Sequence, residues 1–229
     1  MENGMNAKNS LIALFCLSIV WACSENSALT HETYTIDEST KEWYCNDTIA
    51  EFYMIDSNGI TSSFTQTNNI VEYSTGRTSI FWIPTKAHKT EHKYQTYEST
   101  YGITFSFSAY PYDEGFGDNI RVQVGEYSWK YDVLQQKITE VSTPQGIVSL
   151  LMTSKGYKEQ GQPITSTAEI IPEFTTPAQV YANVLCITIN DLLPPNEPYA
   201  IRKIWYTKYY GLVGFEYGNG EQVLRTNNL

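Results

Sequence analysis

The sequence predicts an all-β protein, an antiparallel meander that forms either a curved, open half barrel or a sandwich-like arrangement. Apolar and polar residues alternate over several stretches of about six residues, as in strands with one wet face. Turn sequences such as Asn58-Gly59 separate these stretches. Aromatic residues make up 14% of the chain, 18 of them tyrosines, and aromatic side chains favour pleated, half-buried surfaces.

The N-terminus has the features of a lipoprotein signal peptide. Leu11–Ala22 is a run of 12 apolar or small residues that follows Lys8. This length suits a signal core and is too short to span a bilayer, which takes about 20 residues. The run ends Val20-Trp21-Ala22-Cys23 and resembles the lipobox of bacterial lipoproteins, which implies acylation of Cys23.

These features divide the chain into three parts. We expect residues 1–22 to be removed, residues 23–32 to act as a tether, and residues 33–229 to form a single β domain. Several acyl chains on Cys23 would anchor the protein stably, because each buried CH₂ contributes about 0.8 kcal/mol. The expected location is the bacterial cell envelope, at the outer membrane, with the membrane as a partner.

The negative net charge of the chain argues against one class of partner, nucleic acids. The chain has 15 Lys and Arg residues against 25 Asp and Glu residues, a net charge of −10. Nucleic acids require clustered basic residues, so no nucleic-acid partner is predicted. No motif in the sequence indicates a cofactor.

The first predicted strands form a hairpin. Ile49–Ile55 and Ile60–Gln66 flank an Asp-Ser-Asn-Gly turn. Val71–Ser74 and Ser79–Ile83 follow, and we expect Thr75-Gly76-Arg77 to separate them and Pro84 to end the second.

Period-two alternation defines the next three strands. In the first, phenylalanine and aliphatic residues alternate with serine and threonine, and the other two repeat this pattern with valine, isoleucine and aromatic residues. One face of each strand should therefore be apolar. These strands are Ile103–Ala109, Ile120–Val124 and Tyr127–Val133.

Ser142–Gly156 fits two structures. Thr143 and Pro144 could begin a helix, or Pro144 could lie in a turn before a buried strand at Ile147–Met152. The short run and the neighbouring strands favour the strand. Further strands are predicted at Glu169–Phe174, Val184–Ile189, Ile201–Tyr210, Leu212–Tyr217 and Gln222–Arg225.

Two motifs in the C-terminal third carry a family resemblance. Pro177–Asn183 reads PAQVYAN and Trp205–Val213 reads WYTKYYGLV. The chain resembles uncharacterised β-rich envelope lipoproteins of Gram-negative bacteria, although Gln179 replaces their glycine and Thr207 their alanine. The resemblance implies an incomplete, strongly curved barrel shaped like the lipoprotein carriers, and no agreed activity. Independently, Gly211 and Gly214 within strand-like sequence indicate a bulge or a close backbone approach.

A zinc-peptidase pattern occurs once. His88-Lys89-Thr90-Glu91-His92 matches H-x-x-E-H, which would make His88 and His92 metal ligands of a hydrolase if they shared a helix face. The surrounding 85–100 stretch has no apolar stripe, so we interpret it as a polar connecting loop and predict no metal and no catalytic residue.

Candidate ligand-binding residues are aromatic. The loop 110–119 combines acidic, glycine and aromatic residues. Its acidic side chains could gather around calcium, but turns select the same residue types. The candidate ligand-binding rings in this loop and on the strands are Tyr110, Tyr112, Phe116, Trp129 and Trp205.

Two cysteines, Cys45 and Cys186, remain in the mature domain. An exported protein can form a disulfide between them. Sequence spacing alone does not establish that they lie within bonding distance, so two separate, small apolar residues are the favoured alternative.

The first functional hypothesis is a non-enzymatic lipoprotein. Its concave β surface, lined by the apolar sides of 103–109, 120–124 and 127–133, would bind an apolar or amphipathic ligand or a protein. The alternative is a surface lipoprotein that binds glycan or peptide through loop aromatics. A metal-dependent hydrolase is the remote third hypothesis.

Overall fold

The computed structural model describes residues 31–80, 83–111, 117–144, 146–153, 156–159, 166–189 and 198–227. The signal segment, Cys23, Tyr112 and Phe116 lie outside these residues. The described elements are fifteen strands and one short helix, so the all-β prediction is confirmed. No described helix has the length and apolar character needed to cross a membrane.

The elements are numbered along the chain. Strand bounds in the first part are β1 His31–Tyr34, β2 Glu51–Asp56, β3 Thr61–Ile80, β4 Ile83–Ser99, β5 Thr104–Tyr110, β6 Asn119–Val124, β7 Tyr127–Asp132 and β8 Lys137–Thr143, with helix α1 at Glu38–Lys41. They continue as β9 Gly146–Thr153, β10 Gly156–Glu159, β11 Ser166–Thr175, β12 Val180–Ile189, β13 Ile201–Thr207, β14 Gly211–Tyr217 and β15 Gln222–Thr226.

The chain divides into two compact units. The described part of the smaller unit holds residues 31–33 and the adjoining ends of β3 and β4. The larger unit contains 34–73 and the chain from Glu91 onward. Its strands follow the order β10-β9-β8-β7-β6-β5-β4-β3-β2-β15-β14-β13-β12-β11, and the antiparallel sheet is not closed.

Several predicted elements are confirmed. The Asp56 carboxylate accepts hydrogen bonds from the N–H groups of Asn58 and Ile60, at 2.9 and 2.8 Å, and so forms the predicted turn between β2 and β3. The ambiguous segment after Thr143 forms the strand β9, as favoured, but Ile147 near its start is 68% exposed, so the expectation that this residue is buried is wrong.

Two sequence predictions about the smaller unit are wrong. β3 continues through the expected break at Thr75–Arg77, and β4 includes Pro84. Gly76 does not make a turn. Glycine at this position leaves space for the imidazole of His88, which a Cβ would overlap.

The polar-loop interpretation of residues 85–100 is also wrong. This stretch is part of β4 up to Ser99.

Side chains from both halves of the sheet form the core of the larger unit. The inward residues of β5, β6 and β7 are almost completely buried, including Phe105, Phe107, Val122 and Trp129, each at most 1% exposed. They pack in one cluster with residues of β12–β15 and with Ile36, Trp43 and Cys45. We call residues 36–49 the N-terminal segment.

Aromatic contacts fix the N-terminal segment inside this core. The Trp43 ring stacks on Tyr206 with 6.2 Å between ring centroids, and the Tyr206 hydroxyl donates to the Trp43 carbonyl at 2.6 Å. Tyr44 meets the edge of Phe107 at 5.7 Å. The apolar face of β5–β7 therefore packs against the protein's own chain.

The inward face of β4 is polar and forms hydrogen bonds with the N-terminal segment. Glu91, Lys93, Gln95 and Tyr97 alternate along the strand and are all at most 8% exposed. Glu91 accepts from the Ile36 N–H at 2.9 Å. The Lys93 ammonium donates to the Asp47 carboxylate at 3.2 Å, and the Tyr97 hydroxyl donates to the Ile49 carbonyl at 3.0 Å.

Gln95 makes the central contact in this row. Its side-chain carbonyl accepts from the Cys45 N–H at 3.0 Å, and its amide donates to the Cys45 carbonyl at 2.8 Å. Gln95 thus pairs with a backbone in the way a neighbouring strand would. The polar pattern of β4 matches the backbone groups of the segment it holds.

Asp118 holds the start of α1. Its carboxylate accepts from the Asp37 N–H at 2.6 Å, and burial, as the largest effect, raises the pKa of this carboxyl. A raised pKa in the folded state means that ionisation of Asp118 opposes folding. Its contribution to stability is therefore greatest below the unfolded-state pKa and falls as pH rises through the folded-state pKa.

We expect the free energy of unfolding of Asp118→Asn to increase relative to that of wild type as the pH rises from about 4 to 7. Asparagine keeps an acceptor for the Asp37 N–H and does not ionise. Urea unfolding at both pH values measures this difference. Glu98→Gln, at an exposed position of β4, is the control. An equal change in the free energy of unfolding at both pH values would contradict a raised pKa of Asp118.

A second apolar cluster lies on the opposite face of β11–β15. Its buried members are Tyr181, Val184, Cys186, Trp205 and Val213. Adjacent residues on one strand, such as Trp205 and Tyr206, belong to different clusters. The sheet is therefore apolar on both faces in this region.

Irregular backbone allows this second cluster to form. Tyr181 and Val184 are three positions apart and would face opposite ways in a regular strand, yet both belong to the cluster. Asn183, between them, has a left-handed backbone with φ of 53°. Its expected partner, Pro172, is missing from the β11–β12 pairing, which fits the lack of an N–H in proline.

The glycine prediction for β14 is confirmed. The pairing of β13 with β14 shifts between Trp205 and Tyr206, opposite Gly214 and Leu212. A Cβ at Gly214 would lie 2.9 Å from the Leu224 side chain and 3.1 Å from the Trp205 ring. Glycine therefore marks both a bulge and a close approach.

Candidate functional site: a pocket at the turn between β13 and β14

A surface pocket of about 420 Å³ lies where the start of β12 meets the turn after β13. We call it the turn pocket. The residues that line it are Gln179, Val180, Tyr181, Ala182, Asn183, Thr207, Lys208, Tyr209 and Tyr210.

The backbone of the pocket is unusual. Three non-glycine residues in the described part of the chain have a positive φ, and two of them, Asn183 and Tyr209, line this pocket. The φ of Tyr209 is 66°, a conformation that costs free energy for a bulky residue. Such residues cluster at functional sites, where the surrounding structure maintains them.

The N-terminal segment clamps Tyr209 from both sides. The Tyr209 N–H donates to the Glu42 carbonyl at 2.9 Å, and the Asn46 N–H donates to the Tyr209 carbonyl at 2.7 Å. Gly211 follows with φ of 75°, and a Cβ there would lie 3.3 Å from Cys45. These contacts account for the strained turn.

Buried groups fix the next residue as well. The Tyr210 carbonyl accepts hydrogen bonds from the Arg225 guanidinium and from the Cys45 thiol. The Arg225 guanidinium lies over the Phe52 ring at 4.4 Å, a cation–π contact. The turn is thus held from the interior, while its tyrosine rings face outward.

The one lysine of the pocket is paired. The Lys208 ammonium lies 2.6 Å from the Glu42 carboxylate. The hydrogen bond from Lys208 is the largest of the effects that lower the pKa of Glu42. The lowered pKa favours the carboxylate form of Glu42, whose negative charge offsets the positive charge of Lys208.

Exposed apolar and polar groups share the lining. Val180, Tyr209 and Tyr210 are 56%, 52% and 43% exposed. In the part of the chain that the structure describes, the side-chain amides of Gln179 and Asn183 have no hydrogen-bond partner. The pocket therefore offers ring faces together with free donors and acceptors.

Of the aromatic residues proposed from sequence, the three that the structure describes lie outside the turn pocket. Tyr110 is half-buried, with its ring stacked on His92 at 6.1 Å, and burial, as the largest effect, raises its pKa to about 12. Trp129 is completely buried, and Trp205 is 4% exposed and stacks on Phe174. Neither tryptophan presents a ring to solvent.

The histidine pattern does not form a metal site. His88 and His92 lie on one strand, β4, where residues four apart are separated by about 13 Å. Glu91 is buried and accepts from the Ile36 N–H, so it is not placed to polarise a metal-bound water. The described residues contain no group of three or more His, Cys, Asp or Glu side chains that could hold a metal ion.

Cys45 and Cys186 are both free and buried. Cys45 belongs to the interior cluster and Cys186 to the cluster on the opposite face. The disulfide alternative is not formed, because the sheet separates the two side chains. Burial, as the largest effect, raises the pKa of each thiol.

The two segments that form the pocket are those that carry the family resemblance in the sequence. The motifs Pro177–Asn183 and Trp205–Val213 supplied the family resemblance, and together they contain every lining residue. The tyrosine pair before Gly211 gave no usable signal, since the predicted strand Ile201–Tyr210 included both rings, whereas β13 ends at Thr207. The left-handed state of Tyr209 gave no signal, because it depends on Glu42 and Asn46, which are distant in sequence.

No protein-family model, curated protein or solved structure matches this chain. The class that the fold defines is an all-β protein with an open antiparallel sheet. The turn pocket is the candidate site on that fold.

Proposed function

We propose that this chain is a lipid-anchored, non-enzymatic protein of the bacterial cell envelope that binds its ligand in the turn pocket. The observation that carries the binding role is the pair of left-handed residues, Asn183 and Tyr209, on one pocket with exposed tyrosine rings. The lipobox-like sequence ending at Cys23 supports the anchor.

The packed interior favours the turn pocket over the concave surface as the binding site. A ligand on the inner face of β5–β7 would have to displace Trp43 and Tyr44 from their contacts with Tyr206 and Phe107. It would also break the hydrogen bonds between Gln95 and Cys45. The turn pocket is open to solvent and requires no such displacement.

The anchor has a direct test. Cells that express the full chain with labelled palmitate should produce a labelled protein, and Cys23→Ala should abolish the label. Cys16→Ala is the matched control, because this cysteine lies within the segment to be removed and should leave labelling intact. Equal labelling of wild type and Cys23→Ala would contradict the anchor.

The binding role is tested by removing one ring without altering the backbone. Asparagine tolerates the left-handed conformation, so Tyr209→Asn should leave the fold intact and weaken binding. Thermal-shift screening of the mature protein against neutral oligosaccharides, sugar acids and short peptides should reveal a stabilising compound. Tyr209→Asn should lose that stabilisation.

Tyr101→Asn is the control, since Tyr101 is a 65% exposed tyrosine in the turn between β4 and β5. The proposed binding role of the turn pocket is contradicted if every stabilising compound raises the melting temperature of wild type, Tyr209→Asn and Tyr101→Asn by the same amount.

A further inference from the structure

We infer that the turn pocket recognises an uncharged sugar, either a single unit or a short oligosaccharide. This inference rests on the proposed binding role of the pocket and specifies the class of its ligand. The volume of about 420 Å³ falls within the range of small-molecule sites, about 300–1,000 Å³.

The rings provide an apolar platform. Tyr209 and Tyr210 are both partly exposed in the lining, and Tyr181 meets Tyr210 edge-on with 5.2 Å between ring centroids. A ring braced in this way loses little side-chain entropy on binding. The C–H face of a sugar ring is a flat apolar surface that such rings can cover.

The amides match the chemistry of hydroxyl groups. A primary amide both donates and accepts hydrogen bonds, as a sugar hydroxyl does. The amides of Gln179 and Asn183 have no partner in the described residues, so both are available to a ligand. The Thr207 hydroxyl is already used, because it donates to the Ala182 carbonyl at 3.3 Å.

The charges of the pocket argue against ionic ligands. Lys208 is the one formally charged side chain among the described lining residues, and Glu42 pairs with it at 2.6 Å. A phosphate or carboxylate ligand would have to compete with Glu42 for this ammonium group. A cationic ligand would find no carboxylate in the lining.

A short peptide is the competing ligand class. A peptide that adds to a sheet binds the free backbone groups of an edge strand. The pocket residues of β12 lie beside β11, whereas the pairing of β12 with β13 begins only at Leu185. The Ala182 carbonyl on that side accepts a hydrogen bond from the Thr207 hydroxyl. The exposed rings and side-chain amides favour a sugar, and peptide binding is one of the outcomes that the test distinguishes.

The inference is tested by saturation-transfer NMR on the mature full chain in a zwitterionic detergent. The probes are neutral disaccharides of glucose, galactose, mannose and N-acetylglucosamine, with glucuronic acid and tetraalanine for comparison. At least one neutral disaccharide should give transfer signals from its ring protons. Its dissociation constant should rise at least tenfold in Tyr209→Asn and in Asn183→Gly.

Glycine at 183 keeps the left-handed backbone and removes only the amide, and Tyr101→Asn should bind like wild type. Far-ultraviolet circular dichroism verifies that each variant is folded. The inference is overturned if no neutral disaccharide binds, or if binding is unchanged in both pocket variants. If tetraalanine or glucuronic acid binds instead and requires Tyr209, the proposed binding role stands and the sugar class is wrong. If no probe depends on Tyr209, both proposals fail.

Discussion

Gln95→Leu is expected to lower the free energy of unfolding by about 2–6 kcal/mol. The substitution leaves the N–H and the carbonyl of Cys45 without their partner inside the core. An unsatisfied buried polar group costs about 1–3 kcal/mol, and two such groups are created. Leucine is apolar and of similar volume, so lost packing adds little to the expected effect.

Urea unfolding monitored by tryptophan fluorescence measures this change. Glu98→Gln, at an exposed position of the same strand, is the control and should stay within about 0.5 kcal/mol of wild type. The role of Gln95 is contradicted if Gln95→Leu and Glu98→Gln unfold at the same urea concentration.

Gly214→Val is expected to destabilise the protein by about 3 kcal/mol, and Gly214→Ala by about 1–2 kcal/mol. The first added carbon would lie 2.9 Å from Leu224 and 3.1 Å from the Trp205 ring. The Val223 carbonyl oxygen, 3.2 Å away, belongs to the backbone and cannot easily move. The larger side chain adds two methyl groups in the same space.

A double-mutant cycle identifies the cause of this effect. Leu224→Ala removes the atom nearest to the added Cβ, so it should recover part of the stability lost in Gly214→Ala. Recovery should be partial, because the Trp205 ring and the Val223 carbonyl remain. Strictly additive effects of the two substitutions would contradict a steric origin.

Local patterns predicted most strands because each depends on residues close in sequence. The alternation in Ile103–Ala109 and the turn at Asp56 specify β5 and the β2–β3 hairpin without distant information. The polar-loop prediction for residues 85–100 failed for a physical reason. The inward face of β4 is polar because it binds the N-terminal segment, so the strand lacked the apolar alternation on which the prediction relied.

The candidate site was harder to predict from the sequence than the strands were. Burial decides whether a ring can bind a ligand, and burial depends on tertiary packing. Trp129 and Trp205 were reasonable candidates by residue type, and the two faces of the sheet bury both. Tyr209 is exposed because the Glu42 and Asn46 backbones clamp its turn, a contact across more than 160 residues.

The protein's own N-terminal segment fills the interior and holds the turn pocket in shape. Native-state hydrogen exchange of the mature chain measures how firmly this segment is held. The amides of Ile36, Cys45 and Asn46 should be protected as strongly as those of β5–β7, since all belong to one packed unit. Exchange of these three amides at the rate of an unstructured peptide, with β5–β7 still protected, would show that the segment is not part of the core.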